Sequence, residues 1–522
     1  MWRTFRAFTR LFVIARTLAR HDALSLIEDL GVAPPLTRAA RLIFRKRQPG
    51  RGGEKLARAL SDLGPSFIKL GQFLSTRADL VGETLAADLA GLQDHLPPFD
   101  GATARAIVAE ELGAPIEDLF ADFPQESLSA ASIAQVHMAT TTDGRAVAVK
   151  VLRPGIEGAF ERDLSLFAWL AELGEAAQPR LRRLKPTALV ALFAEQVRLE
   201  MDLSMEAAAA QELAENFAGD PTYNVPAVDW TRTGRRVFTA EAVTGIRIDE
   251  RDALIAAGHD IPDVLEKAAA IFFKQVFRDG FFHGDQHPGN MFVDAEGNIV
   301  AVDFGIMGRL DWATRTFLAD MLLALLDRDY QRLAEIHVKA GYLSGADTDH
   351  SGHATTAHPR VTVFAQALRS IAEPVFGKPL HEISFARLLG QLFRMSESFE
   401  MEVQPQLLLL QKNMMMAEGV SRALDPTLNT WTLAEPLIAE WMRRHRGPEA
   451  RVRDAARDWV NVAARLPATL DRVERLVAET RAGGLRLDTR QNRESRRPGA
   501  ATLFAAAASV LAAAALIVAL AD

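Results

Sequence analysis

Two carboxylates and one carboxamide, Asp285, Asn290 and Asp303, stand at fixed separations in FHGDQHPGNMFVDAEGNIVAVDFG, the stretch from Phe282 to Gly305. The apolar runs Asn290 to Val293 and Ile299 to Val302 flank Ala295-Glu296-Gly297-Asn298, a sequence suited to a tight turn. The two runs are expected to pair as a hairpin, which brings Asn290 and Asp303 together at one end. An amide oxygen beside a carboxylate, with a second carboxylate near, makes a hard, oxygen-rich site of the kind that holds Mg²⁺ on nucleotide phosphates. The order H-x-D-x-x-x-x-N, then D-F-G, divides the labour of phosphoryl transfer. Asp285 would accept a proton from an attacking hydroxyl, while Asn290 and Asp303 would hold metal. Turn formation explains Asp285 or Asn290 singly, but not so many identities at the required spacings.

Such chemistry also needs a cation to grip phosphates. SAASIAQVH, Ser129 to His137, reads as small residues entering a strand; Asp143-Gly144 is a turn, and AVAVKVL is the return strand. Alternation places Val147, Val149 and Val151 on one face and Ala148, Lys150 and Leu152 on the other. Lys150 is then a lone cation among apolar neighbours, and it requires an anion. In protein kinases the equivalent strand lysine binds the α and β phosphates and pairs with a glutamate on the next major helix. Glu206 is the choice here: Thr187 to Phe217 predicts one long helix, with Asp202 and Glu206 four apart on a common face. Glu200 lies about 160° around from Asp202 on an ideal helix. Val225 to Trp230 and Val237 to Val243 read as two further strands, and Thr244-Gly245 as a hinge. Adenine is expected against the backbone from Glu241 to Val243. Asp263 to Arg278 is a helix leading into the catalytic loop.

The chain has 522 residues and is 48% hydrophobic, enough for two lobes with appendages. A net charge of -7 argues against a general nucleic-acid binder, and the lack of cysteine excludes disulfides, thiolate metal sites and cysteine nucleophiles. No flavin, haem or Fe–S motif supports redox chemistry. The run Leu11 to Ala15 is too short for a signal-peptide core, so the N-terminus is expected to stay attached. Residues 1–20 carry arginines and no acid, with Phe5, Phe8, Leu11 and Phe12 on one side of a helix. That helix could lie on an anionic membrane or pack on its own protein. After a basic, glycine-broken linker comes LGPSFIKLGQFLSTRADLV from Leu63, a helix whose apolar spacing leaves Lys69, Gln72 and Arg77 in need of partners. Met414-Met415-Met416 reads as core filler, although the flanking Leu407 to Leu410 could offer a surface to an isoprenoid tail. From Trp441 the chain is arginine-rich, and Gly499 to Ala521 runs without a charge for about 34 Å as a helix, long enough to span a bilayer core. Arginines preceding that segment predict a cytoplasmic domain on the N-terminal side.

With these pieces in order, the chain resembles the UbiB family of atypical kinase-like proteins, which serve ubiquinone biosynthesis. KLGQ at Lys69 to Gln72 is similar to that family's N-terminal signature, and SAASIAQVH to its alanine-rich replacement for the glycine-rich loop. Glu200-Met201-Asp202 and Glu206 resemble its E-x-D anchor and helix glutamate. The resemblance implies an α+β, two-lobed protein-kinase-like fold with an N-terminal helical extension, to which the charge-free run adds a C-terminal transmembrane helix. It implies ATP and Mg²⁺ as cofactors, with Ala130, Ala131 and Ser132 over the nucleotide. Lys69 and Gln72 would reach over the site, held by Glu200 and Asp202 as regulatory elements. Expected partners are isoprenoid quinone precursors, membrane lipids and other ubiquinone-biosynthesis proteins, at a bacterial inner membrane.

The corresponding division is 1–100 extension, 101–245 N-lobe, 246–440 helical C-lobe, 441–498 arginine-rich tail and 499–521 membrane helix. Ala134 stands where many relatives have glycine, Ala209 or Ala210 where many have asparagine, and one membrane helix is found where many have two. H-G-D lacks the arginine that senses activation-loop phosphate, and no A-P-E follows D-F-G, so a peptide-docking platform is not visible. H-G-D-x-H-P-G-N also resembles small-molecule phosphotransferases, and a lipid chaperone or scaffold using ATP as a conformational ligand is the third reading.

Overall fold

The strands read from SAASIAQVH and AVAVKVL form the middle of a five-stranded sheet in a computed structural model of the protein. The structure describes residues 2–23, 50–75, 77, 81–92, 96–177, 185–342, 359–376, 391, 399, 405–425 and 441. They fall in the unit Met1–Arg443; the second unit, Arg444–Asp522, lies outside the described residues, and with it the expected span 499–521 and nearly all of the 441–498 tail. Among the described residues no helix is long and apolar enough to cross a membrane.

The N-terminal extension contributes α1 (Trp2–Arg20), α2 (Gly52–Leu63), α3 (Pro65–Ser75) and α4 (Glu83–Ala90) among the described residues. Helix α3 carries KLGQ, and its Gly71 sits where a Cβ would run into Leu92 and crowd Leu60, so the glycine lets these helices pack closely. The far end of α1 rests on this protein rather than on solvent: Leu18, Ala19 and Ala23 are buried with Ala59. Arg10 forks onto Asp163 at 2.9 and 2.8 Å, and Arg20 and His21 both reach Asp62. Phe12 and Val13 stay exposed.

Helix α5 (Gly101–Leu112), capped by Asp100, and the short α6 (Ile116–Leu119) lead into β1 (Phe120–Asp122), β2 (Ser129–Ala130), β3 (Ala134–Thr141) and β4 (Ala146–Leu152). With β6 (Val237–Glu241) the order is β1-β3-β4-β6, all antiparallel, with β2 also on β3. Val147, Val149 and Val151 pack under α5 against Ala104, Ile107 and Val108, as the alternation predicts. The opposite face meets α9 (Leu203–Asn216), which follows α7 (Ile156–Ala177) and α8 (Pro186–Glu200).

Two expectations need correction here. The long helix over Thr187 to Phe217 is two helices, broken at Met201-Asp202. Asp202 is the N-cap of α9 and accepts from Ser204 N, so it does not share a stripe with Glu206; capping geometry overrides continuous helix propensity. Val225 to Trp230 is not a strand either. Only β5 (Tyr223–Asn224) precedes it, and the stretch touches the sheet through a single bridge, Val228 to Ala240, before a 3₁₀ turn at Trp230–Arg232.

Helices α10 (Arg251–Ala256) and α11 (Ile261–Phe273) follow β7 (Ile246–Arg247), and α11 widens into a π-helical turn over Lys274–Asp279. The catalytic stretch is β8 (Phe281–His283), a 3₁₀ turn at Pro288–Asn290, β9 (Met291–Val293) and β10 (Ile299–Ala301), which pair antiparallel as the hairpin predicts. Strand β11 (Met307–Arg309) returns beside β8, and α12 (Trp312–Leu326), α13 (Tyr330–Lys339), α14 (Pro359–Phe376) and α15 (Pro405–Leu424) complete the described helices. Leu407 and Leu410 of α15 are buried with Phe272, Phe282 and Trp441, while Leu408 and Leu409 are half-buried; Met414 packs with them and Met415 is exposed.

Gly308 of β11 pairs with Phe282 of β8, and a Cβ at 308 would strike the fully buried Phe282 ring. Gly308→Ala is expected to cost about 1–3 kcal/mol by overpacking. A denaturant titration should show a lower midpoint at unchanged slope; an unshifted midpoint would mean that β8 has room to move.

Candidate active site

Strand β4 holds Lys150 toward α9, and its Nζ lies 2.8 and 2.9 Å from the two oxygens of Glu206. The same nitrogen donates to Asp303 Oδ1 at 3.0 Å. Asp303 follows β10 in a left-handed conformation, φ 62°, which an aspartate tolerates better than most side chains and which turns its carboxylate back toward the sheet. Lys150 and Glu206 are nearly buried, whereas the Asp303 side chain remains 53% exposed.

The charges explain one another. Burial alone would pull the Lys150 ammonium down, but the two carboxylates outweigh burial and hold it above its usual value. Burial pushes the Glu206 carboxyl up, with Lys150 opposing and the like charge of Asp303 adding to the rise. Lys150 is the main reason that Asp303 sits well below the usual carboxylate range; its hydrogen bond and Lys69 act in the same direction, against burial. Because Asp303 is open to water, its attraction to Lys150 is screened and exchangeable.

Around this centre stand two more lysine–carboxylate pairs. Lys69 of α3 meets Glu200, the last residue of α8, at 2.9 Å, both largely buried. Lys412 of α15 meets Asp285 Oδ1 at 2.7 Å. Asp202, expected to help hold Lys69 and Gln72, instead caps α9 and lies 3.5 Å from Arg235. Gln72 is half-buried on α3, one turn beyond Lys69. Among the described residues four carboxylates thus pair with three ammonium groups.

The catalytic loop is held by its backbone. Asp285 N donates to His283 Nδ1 at 3.1 Å, so the His283 proton is on Nε2, which donates to Val302 O at 3.2 Å. Burial pushes that imidazole below its usual value, keeping it neutral in this role. Asn290 donates its amide to Asp285 O at 3.1 Å and accepts Val302 N on its own carbonyl at 2.9 Å, bringing Asn290 to the start of the Asp303 segment. Its side-chain oxygen is left as an acceptor. Asn290 and Asp303 are the donors that could hold a hard cation. Among the described residues no group of three or more His, Cys, Asp or Glu is arranged for a metal, so a cation here would need oxygens from a ligand, as a nucleotide's phosphates provide.

Ala130 and Ala131 of the small-residue turn are half-buried, but Ser132 is fully buried, which leaves the alanines as the accessible part. Arg153 fixes the turn by donating to Ala131 O at 2.9 Å. At the expected hinge, Glu241 N is already bonded to Ala227 O and Ala242 N to Ala146 O. Neither amide is spare for adenine, which narrows the hinge to the Glu241 carbonyl and the half-buried Val243.

Sequence reasoning missed Lys412, Asn413, Gln275 and Gln286. The π turn aims Gln275 under the loop, where its oxygen accepts from His283 N at 3.0 Å and from the Gln286 amide at 3.4 Å. Gln411-Lys412-Asn413, three polar residues inside LLLLQKNMMM, was the available signal for α15.

Profiles of known families match two parts of the chain: an ABC1 atypical kinase-like domain over residues 91–337 and a UbiB helical domain over residues 368–429. The chain is similar to the Probable protein kinase UbiB of Marinobacter nauticus, 41% identical over 80% of this chain and 75% of the relative. It is 40% identical to that of Azotobacter vinelandii over 85% and 82%, and 38% identical to that of Pseudomonas aeruginosa over 90% and 88%. Among solved structures, Rv3197 of Mycobacterium tuberculosis in complex with erythromycin aligns at 22% identity over 79% of this chain and 98% of its own, with a TM-score of 0.48.

Glu206→Gln removes one partner of a buried pair and leaves the Lys150 charge to Asp303 alone. Stability should fall by about 3–5 kcal/mol, read by chemical denaturation, and nucleotide affinity should weaken. Unchanged stability together with unchanged nucleotide binding would show that Glu206 does not orient Lys150.

Proposed function

Since the chain belongs to the UbiB family of ABC1 atypical kinase-like proteins, whose kinase-like domain implies nucleotide binding, we propose that it is a Mg-ATP-dependent ATPase or kinase supporting ubiquinone biosynthesis. Isoprenoid quinone precursors are its proposed clients, and membrane lipids and other enzymes of that pathway its proposed partners. The observation that carries this reading is the single ammonium of Lys150 shared between Glu206 and Asp303, within a site that has, among the described residues, more carboxylates than lysines.

Lys150 grips the α and β phosphates while Glu206 keeps it oriented, the task of the strand lysine and helix glutamate in kinases. Asn290 and Asp303 would hold Mg²⁺, which supplies charge neutralisation on the phosphates when bound. Asp285 orients the attacking oxygen, from water or a hydroxyl, and receives its proton. His283 keeps the Asp285 amide and the Val302 carbonyl in register without changing charge. Ala130 and Ala131 cover the phosphates where a glycine-rich loop is missing, and Lys69 adds positive charge near Asp303.

The charge-free run Gly499 to Ala521, with arginines before it, is proposed to anchor the protein in a bacterial inner membrane with its kinase-like domain cytoplasmic. A small-molecule phosphotransferase is the second reading, favoured by the absence of an arginine in H-G-D and of A-P-E after D-F-G.

The full chain on liposomes is expected to hydrolyse ATP in the presence of magnesium, and Asp303→Asn to lose about a hundredfold or more in turnover. The same variant should fail to restore quinone in a deletion strain, where intermediates are profiled by mass spectrometry. Normal turnover by Asp303→Asn would falsify the metal role. Quinone restored by an Asp285→Asn, Asp303→Asn double variant would instead identify a scaffold, and a phosphorylated small alcohol among the products would select the second reading.

A further inference from the structure

The catalytic loop Gly284 to Gly289 contains no lysine or arginine, and its one imidazole, His287, spends Nδ1 on Gly289 N at 3.1 Å. A cation nevertheless stands beside Asp285, and it comes from α15, within the UbiB helical-domain match. The contact is not a chance meeting of flexible side chains. The next residue, Asn413, is fully buried and grips the loop on both sides of Asp285: its amide donates to His283 O and its oxygen accepts from Gln286 N at 3.3 Å. Two buried hydrogen bonds fix the register of α15 against the loop, and that register places Lys412 at Asp285.

We propose that Lys412 is a positioning residue: it holds one oxygen of the Asp285 carboxylate so that the other is presented to the attacking hydroxyl or water. Both side chains are about a third exposed, 39% and 30%, so the pair is too open to contribute much to stability. Its effect is on geometry. A carboxylate on a turn can rotate among several orientations, and a fixed ammonium at one oxygen selects the productive one. The helical domain thereby becomes a required part of the catalytic apparatus, since displacing α15 would withdraw Lys412 and Asn413 together. This proposal rests on the reading of Asp285 as the group that receives the proton.

The full chain is assayed on liposomes for ATP turnover, with nucleotide affinity measured separately by Mg-ATP titration of thermal stability. Lys412→Met is expected to lower kcat about tenfold or more while KM and Mg-ATP affinity stay within about twofold, and Lys412→Arg to recover most of the loss. Combined with Asp285→Asn, Lys412→Met should add no further loss, because the two act as one unit. Wild-type kcat in Lys412→Met, losses that multiply in the double variant, or affinity that falls as far as kcat would each overturn the proposal. Should Lys412→Met fail to fold, Lys412→Gln compared with Lys412→Arg carries the same test, and equal kcat in those two overturns it. Wild-type turnover by Asp285→Asn would instead reject the role of Asp285 itself, a result distinct from failure of the Lys412 effect alone.

Discussion

A single ammonium group ties the catalytic parts of this chain together. Lys150 lies in a strand among valines, where an unpaired charge is costly, and its counter-charges come from well-separated places in the sequence. Glu206 arrives on the helix that covers the sheet, and Asp303 arrives from the hairpin after the catalytic loop. Neither carboxylate satisfies the site alone. Glu206 is buried and would be disfavoured as an anion without Lys150, while Asp303 is half open and can exchange partners. A fixed partner and an exchangeable one on the same lysine suit the proposed role, in which the group holds its position and engages phosphate.

The elements outside the kinase-like core add to the same electrostatic field. Helix α3 brings Lys69 to Glu200, and α15 brings Lys412 to Asp285, so both the N-terminal extension and the helical domain deliver a cation to a carboxylate. Beneath the loop, Gln275, Gln286, His283 and Asn413 form a buried, nearly continuous polar network that keeps the backbone of Asp285 from drifting. Such a buried network, costly to break, holds one geometry against alternatives.

The parts legible in the sequence are those governed by short-range rules. The valine alternation of AVAVKVL announced both the strand and the face of Lys150, and the turn at Ala295 to Asn298 announced the hairpin joining Asn290 to Asp303. The parts that misled were places where a local preference lost to a specific contact. Alanine and leucine run through Met201-Asp202 as in a helix, yet the chain breaks there because Asp202 caps the next segment and its backbone bonds outward, Leu203 N meeting Arg235 O at 2.8 Å. Val225 to Trp230 has strand-like composition but meets β6 through one bridge only, because the chain then turns around Asp229, whose carboxylate takes Thr231, Arg145 and Arg232.

By itself the sequence determined which residues could grip phosphate and metal, their order along the chain and the kinase-like family to which they belong, because strand period, turn chemistry and motif spacing are properties of neighbours. Only the tertiary structure decided that Lys150 joins Glu206 to Asp303 directly, that the Glu241 and Ala242 amides are already engaged, that Leu407 and Leu410 of α15 are buried, and that Lys412 stands at Asp285. Those outcomes depend on which buried donors find acceptors once distant segments pack. A periodic pattern states that a face will be covered, not which atom will cover it.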